Sequence, residues 1–316
     1  MTTLVATSVV RGSHQGESHG GVYLIDLEGR RVVQAVDWNK ADIDWQGRGW
    51  DRGLRGIAFD GDTVYIAASD ELFAFTPEFQ HVASFRNPFL KHCHEIVRYE
   101  RRLYLTSTGF DSILGFDLDE RQFSFGLNII REGGNFRGQP FNPSSQNGPM
   151  PGNDLHVNNV YCTDRGMYIS GLRTGAVLVF DGRRITSWAT LPEGAHNAIP
   201  FRDGLLFNDT RADAVRFASP SEDRIFNVPR YDTEKLTHAD LDESRIARQG
   251  FARGLCVLEG GRIAAGSSPS TISLHDLDKN ETLLRVTLTM DIRNAVHGLE
   301  VWPYAFPEVG SLRPDQ

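Results

Sequence analysis

The chain has 316 residues, 40% hydrophobic and 10% aromatic, with 33 Lys and Arg against 41 Asp and Glu for a formal charge of −8. This length and composition specify a folded chain able to bury a large core and exclude a disordered one. No basic run is long enough to track a phosphate backbone and no apolar run is long enough to span a membrane as a helix, so neither nucleic acid nor membrane is expected as a partner.

The chain opens on "TLVATSVV" and "GGVYLIDLEG", two β-rich runs with no basic leader before them, which do not read as a secretion signal. Cys93, Cys162 and Cys256 are odd in number and far apart, the pattern of a cytoplasmic protein with reduced thiols. His14 and His19 flank a Gly-rich turn and are expected at the surface. The sequence defines no oligomeric state.

An insertion at about residues 37–53 follows, carrying Trp38, Trp45 and Trp50. Next comes "LRGIAFDGDTVYIAASDELFAFTPEF", a pattern of short apolar runs separated by Gly and Asp turns. It recurs from "HEIVRYERRLYLTSTGFDSILGFDLD", preceded by His92 and Cys93. A second insertion, about 131–155, holds Phe136 and Phe141; its "GGNFRG" follows no βαβ pattern and is not a phosphate loop. The unit returns as "NNVYCTDRGMYISGLRTGAVLVFDG" and "HNAIPFRDGLLFNDTRADAVRFASP". After a third insertion, about 230–250, whose "THADLDESRIAR" has helical character with Thr237 or Asp240 as cap, comes "RGLCVLEGGRIAAGSSPSTISLHDLD". The chain closes on "VHGLEVWPY".

Val, Ile, Leu, Phe and Tyr in short runs punctuated by turns favour meandering antiparallel sheets over helices. Five whole units and a sixth split between the termini, at a period of about 50 residues, predict an all-β fold: one six-bladed β-propeller over residues 1–316, closed by pairing its two ends. A β-sandwich is the alternative.

Alignment of the units on their second strands places Arg55, His94, Asn158, His196, Arg253 and His297 at one shared position. In a propeller the first strand of each blade lines the central channel, so these side chains are expected to converge. His94, His196 and His297 fall on alternate blades, a triangle suited to a divalent metal with an open coordination position, and His156 offers a fourth imidazole. Zinc, iron, copper or manganese is expected in preference to calcium. The next position carries Gly56, Glu95, Asn159, Asn197, Gly254 and Gly298, and a twisted or bulged strand could turn either set inward. Glu95 is the candidate ligand or base, and Arg55 and Arg253 would hold an anionic oxygen. Cys93 has no base at a defined spacing and is not expected as a nucleophile.

Through its whole-chain architecture and the motifs "HEIV", "HVNNV", "HNAI", "ARGLCV" and "VHGLEV", the sequence resembles the senescence-marker-30, gluconolactonase and strictosidine-synthase superfamily of six-bladed propellers. The resemblance implies a central metal, usually calcium, held by Glu, Asn, Asn and Asp, and lactone or ester chemistry. Glu95, Asn159 and Asn197 match the Glu, Asn and Asn, whereas Gly254 and Gly298 stand at the remaining positions. In mode of ligation the histidines also resemble those of carotenoid oxygenases.

These features predict a metal-dependent hydrolase or lyase acting on a small organic, anionic or aromatic substrate. The pocket is expected to include Trp38, Trp45, Trp50, Phe136, Phe141, Asn158, Asn159 and Asn197. The alternatives are an iron or copper oxidoreductase and a non-catalytic propeller that binds a ligand or a protein.

Overall fold

Each repeated run of apolar residues between turns forms one strand of a meander. In the computed structural model, which describes residues 2–14, 16–39 and 53–307, these strands build six antiparallel sheets arranged as the blades of a β-propeller. Numbered from the first whole unit, blades one to five begin with the inner strands Ile57–Asp60, Ile96–Tyr99, Val157–Thr163, His196–Phe201 and Gly250–Val257. The sixth is composite: Asn294–Val301 lies innermost and pairs with Thr3–Val10, followed by Gly21–Asp26 and Arg31–Asp37. The inner strands touch their neighbours in a closed circuit, so the ring expected from the repeats is formed and the sandwich alternative is excluded.

Burial falls from hub to rim. Gly21–Asp26, Gly204–Asp209 and Thr271–Asp276 are buried along their whole length, because both faces of a middle strand are covered by adjacent blades. The rim strands His81–Arg86 and Glu281–Thr287 are mostly exposed. Closure has a defined register, with Leu4 opposite Val301, Val9 opposite Ala295 and Val10 opposite Asn294. Thr7 ties the closing blade to blade one: its hydroxyl accepts from the Gly298 N–H at 2.8 Å and donates to the Arg55 carbonyl at 2.5 Å.

The three insertions differ from one another. Trp38, in the first, is buried edge-on against Phe73 with ring centroids 4.9 Å apart, while Trp45 and Trp50 lie outside the described residues. The second begins as a hairpin, in which Gln122–Glu132 turns at Gly133 and Gly134, both left-handed, and pairs with Asn135–Phe141 as a fifth strand of blade two. The third forms only the short 3-10 turns Thr233–Lys235 and Ala239–Leu241 in place of the expected helix. His238 and Glu243 adopt left-handed backbone there, and the Asp242 carboxylate accepts from the N–H groups of Glu243 and Gln249, both at 3.0 Å. Such local bonds compete with an α-helix. No helix among the described residues is long and apolar enough to cross a membrane.

Candidate functional site

Members of both sets of consecutive inner-strand residues line cavities at the hub, at different depths. Arg55, His94, Arg253 and His297 line a cavity of about 420 Å³ at the upstream ends of the inner strands, together with His92 and His156. Glu95, Asn159 and Asn197 line a second cavity of about 280 Å³ further along the same strands, beside Glu300 and Cys256. Pairing slips between Val157 and Asn159, between His196 and Ile199, and on either side of Arg253, and Asn197 and Gly254 have φ of +50° and +73°. These bulges break strict alternation and let neighbouring residues both face the hub.

Hydrogen bonding fixes what the histidines can do. A guanidinium has donors and no acceptor, whereas a neutral imidazole has one lone pair to give. Arg55 Nη1 lies 3.3 Å from His94 Nε2, so that nitrogen is the acceptor. His94 Nδ1 then carries the proton and donates to the His92 carbonyl and the Thr108 hydroxyl, each at 2.8 Å. Arg253 Nη1 lies 3.1 Å from His297 Nδ1, whose lone pair is occupied in the same way. His196 does not line the cavity; it bonds Thr210 Oγ1 at 2.8 Å and its ring lies against Phe251 at 6.1 Å.

The expectation of a bound zinc, iron, copper or manganese ion is therefore corrected. A metal would need the lone pairs that His94 and His297 give to arginine, and among the described residues no group of three or more His, Cys, Asp or Glu could hold one. The metal-dependent hydrolase or lyase and the mononuclear oxidoreductase readings fall with it. The calcium set implied by the superfamily does not fit either. Asn197 Oδ1 already accepts from Asn208 Nδ2 at 2.9 Å and the Gly254 N–H at 3.1 Å, while its amide donates to Glu95 Oε2 at 2.8 Å. Asn159 donates to the Ala198 carbonyl at 2.7 Å.

The entrance cavity is electropositive. Burial, then the neighbouring charges of Arg55 and Arg248, pulls Arg11 down to about 9; burial takes Arg55 to about 10. Arg253 is held well below its ordinary value by burial and by Arg11 and Arg55. At about 9 and about 10, Arg11 and Arg55 remain cationic at neutral pH; burial is the first cause of all three shifts, and like charge adds to it at Arg11 and Arg253. His94 and His297 are held neutral by burial and then by these arginines, and burial pushes His156 down to about 3. Among the described residues no carboxylate lines this cavity. Nη2 of Arg11 and Nε of Arg253 are buried without a hydrogen-bond partner among the described residues.

The second cavity has the opposite character. Burial raises Glu95 to about 7 and, with Glu95 beside it, Glu300 to about 8. Glu95 thus lines a different cavity from His94 and His297. Asn158 is buried and donates to the Ala195 carbonyl at 3.3 Å. Phe141 packs on Phe89 at 5.2 Å and Phe136 lies under Arg131 at 5.2 Å, so neither lines the entrance cavity. Cys93 is buried, with its thiol pushed up to about 12 by burial.

Sequence reasoning missed Arg11, Arg245 and Phe251, all of which line the entrance cavity. Phe251 stands two residues before Arg253, and its ring lies 3.8 Å from the Arg11 guanidinium and 4.9 Å from that of Arg253. Arg11 follows the closing strand, outside the aligned register, so no spacing signal marks it.

No protein family model matches the chain, and comparison with curated proteins finds no match. Solved structures are similar in fold. A protein of unknown function from Bacteroides caccae is 8% identical over 96% of this chain and 100% of that one, with a TM-score of 0.57. A chain of the nidogen/laminin complex is 10% identical over 95% and 98%, with a TM-score of 0.50. Virginiamycin B lyase from Staphylococcus aureus is 10% identical over 93% and 94%, with a TM-score of 0.50. At such identities the likeness concerns the fold alone.

Proposed function

We propose that the protein is a non-catalytic binding propeller whose entrance cavity captures a small organic anion. One observation carries this reading: Arg11, Arg55, Arg245 and Arg253 line a single cavity of about 420 Å³ in which no described residue places a carboxylate. Planar carboxylates match the forked donors of guanidinium groups. The volume suits a small metabolite. Neutral His297, with its Nδ1 occupied by Arg253, keeps its proton on Nε2 and adds a donor.

We also place the chain in a reducing cytoplasm, a reading supported by three free thiols at Cys93, Cys162 and Cys256. Kinship with the senescence-marker-30 superfamily is proposed on architecture alone, without its metal.

Isothermal titration tests the binding reading. Small carboxylates should bind while their neutral amides do not, with affinity falling as salt rises, and Arg253→Gln should weaken binding about tenfold or more. Equal binding of acids and amides, or salt-independent affinity, would overturn it.

A further inference from the structure

The cationic groups of the entrance cavity come from two levels of the fold. Arg55 and Arg253 belong to the layer of inner-strand residues and are fixed there by His94 and His297. Arg11 and Arg245 come from the segments above it, one at the end of the closing strand Thr3–Val10 and the other in the 230–250 insertion. These segments touch: a Cβ on Gly12 would lie 3.0 Å from Ile246 Cγ2. Arg245 is exposed and Arg11 half-buried, whereas Arg55 and Arg253 are buried.

Resting on the anion-binding reading, we propose that the ligand is a short dicarboxylate, with one carboxylate on Arg253 and Arg55 and the other on Arg11 and Arg245. A monoanion seated on the inner pair would leave Arg11 and Arg245 without a carboxylate of their own, in a cavity whose remaining lining includes the apolar Val9, Ile246 and Phe251. The orphaned donors belong to both segments, Nε of Arg253 on an inner strand and Nη2 of Arg11 just after the closing strand. Carboxylates at both ends of a short carbon chain would satisfy both levels, and the methylenes would lie along the apolar wall. A phosphomonoester concentrates its charge on one group and so offers a single anionic end to the four arginines.

The test compares glutarate, its monoamide glutaramate and glycerol phosphate by isothermal titration at constant ionic strength. Glutarate is expected to bind at least tenfold more tightly than either of the others. Arg245→Gln, an exposed position where folding is not at risk, and Arg11→Gln should bring glutarate down towards the affinity of the monoamide. Equal binding of glutarate and glutaramate, or tighter binding of glycerol phosphate, overturns the dicarboxylate assignment while leaving anion capture standing. Absence of binding by all three overturns both.

Discussion

Arg253 donates to Nδ1 of His297 at 3.1 Å, and this contact takes up the lone pair that a metal would need. The same exchange occurs between Arg55 and His94, but through Nε2 at 3.3 Å. The two imidazoles should therefore be opposite tautomers, with the proton of His297 on Nε2 and that of His94 on Nδ1. Imidazole nitrogen chemical shifts measured by NMR distinguish the two forms. In Arg253→Met the His297 pKa should rise, since Arg253 is one of the charges that lowers it after burial itself. The same tautomer at both histidines would contradict this arrangement.

Metal should not matter. Untagged protein equilibrated with zinc, manganese, ferrous, cupric or calcium ions and then desalted should retain well under one ion per chain. EDTA should leave the thermal midpoint unchanged, because the lone pairs a metal would need are engaged by Arg55 and Arg253. One tightly held ion, lost on substitution of His94 or His297, would restore the metal reading.

The ring was legible because a propeller writes the same strand pattern in every blade: the register that joined Arg55, His94, Asn158, His196, Arg253 and His297 falls just before or within the first half of each inner strand. What alignment could not supply was depth. Across the bulges around Asn158 and Arg253 the lining passes from one cavity to the other, from His156 to Asn159 and from Arg253 to Leu255, and a bulge is a backbone event with no fixed residue signature. The use of the histidine lone pairs rests on approaches of about 3 Å between blades, which no single-strand pattern records. His19 failed as a surface assignment for a related reason. It is buried and bonds Ser13 at 2.6 Å, a contact made by a loop folding back on itself.

Stability should have an optimum in pH. The unfolded state releases the protons of Glu95 and Glu300 near 4.5, whereas the native state holds them to about 7 and about 8. The native state thus carries more protons through that window, and these groups make stability fall as pH rises from about 5 to above 8. His94, His156, His196 and His297 act in the opposite sense. Their native pKa values lie below the unfolded value, so stability is lost as pH falls below about 6.5. Urea midpoints should show Glu300→Gln more stable than the parent at pH 9 and little changed at pH 5. No gain at pH 9 would contradict the assignment.

Thr108 and Thr210 do the same job in different blades. Each meets the imidazole of the histidine fourteen positions earlier at 2.8 Å and donates across to the next blade, Thr108 to the Val157 carbonyl at 2.6 Å and Thr210 to the Ala252 carbonyl at 2.8 Å. Replacement by Val keeps the shape but takes the hydroxyl donor from the carbonyl of the next blade and the hydroxyl from the imidazole, of which His94 keeps the His92 carbonyl as a second partner. Thr108→Val and Thr210→Val should each cost about 1–3 kcal/mol in denaturant unfolding. A loss under about 0.5 kcal/mol would mean that these hydroxyls do not hold the blades together.

Closure of the ring supplies the last prediction. A stop codon after Arg293 removes the inner strand Asn294–Val301, its pairing with Thr3–Val10, and Trp302, whose ring stacks on Phe79 at 5.3 Å. The edge of Thr3–Val10 would then lie open at the hub, Thr7 would lose the Gly298 N–H, and His297 would leave Arg253 without its imidazole acceptor. An unpaired strand edge invites association between chains. The truncated chain should lose its cooperative thermal transition and self-associate on size-exclusion chromatography. If it instead melts cooperatively as a monomer within a few degrees of the full chain, the two termini do not close the propeller in the way that holds it together.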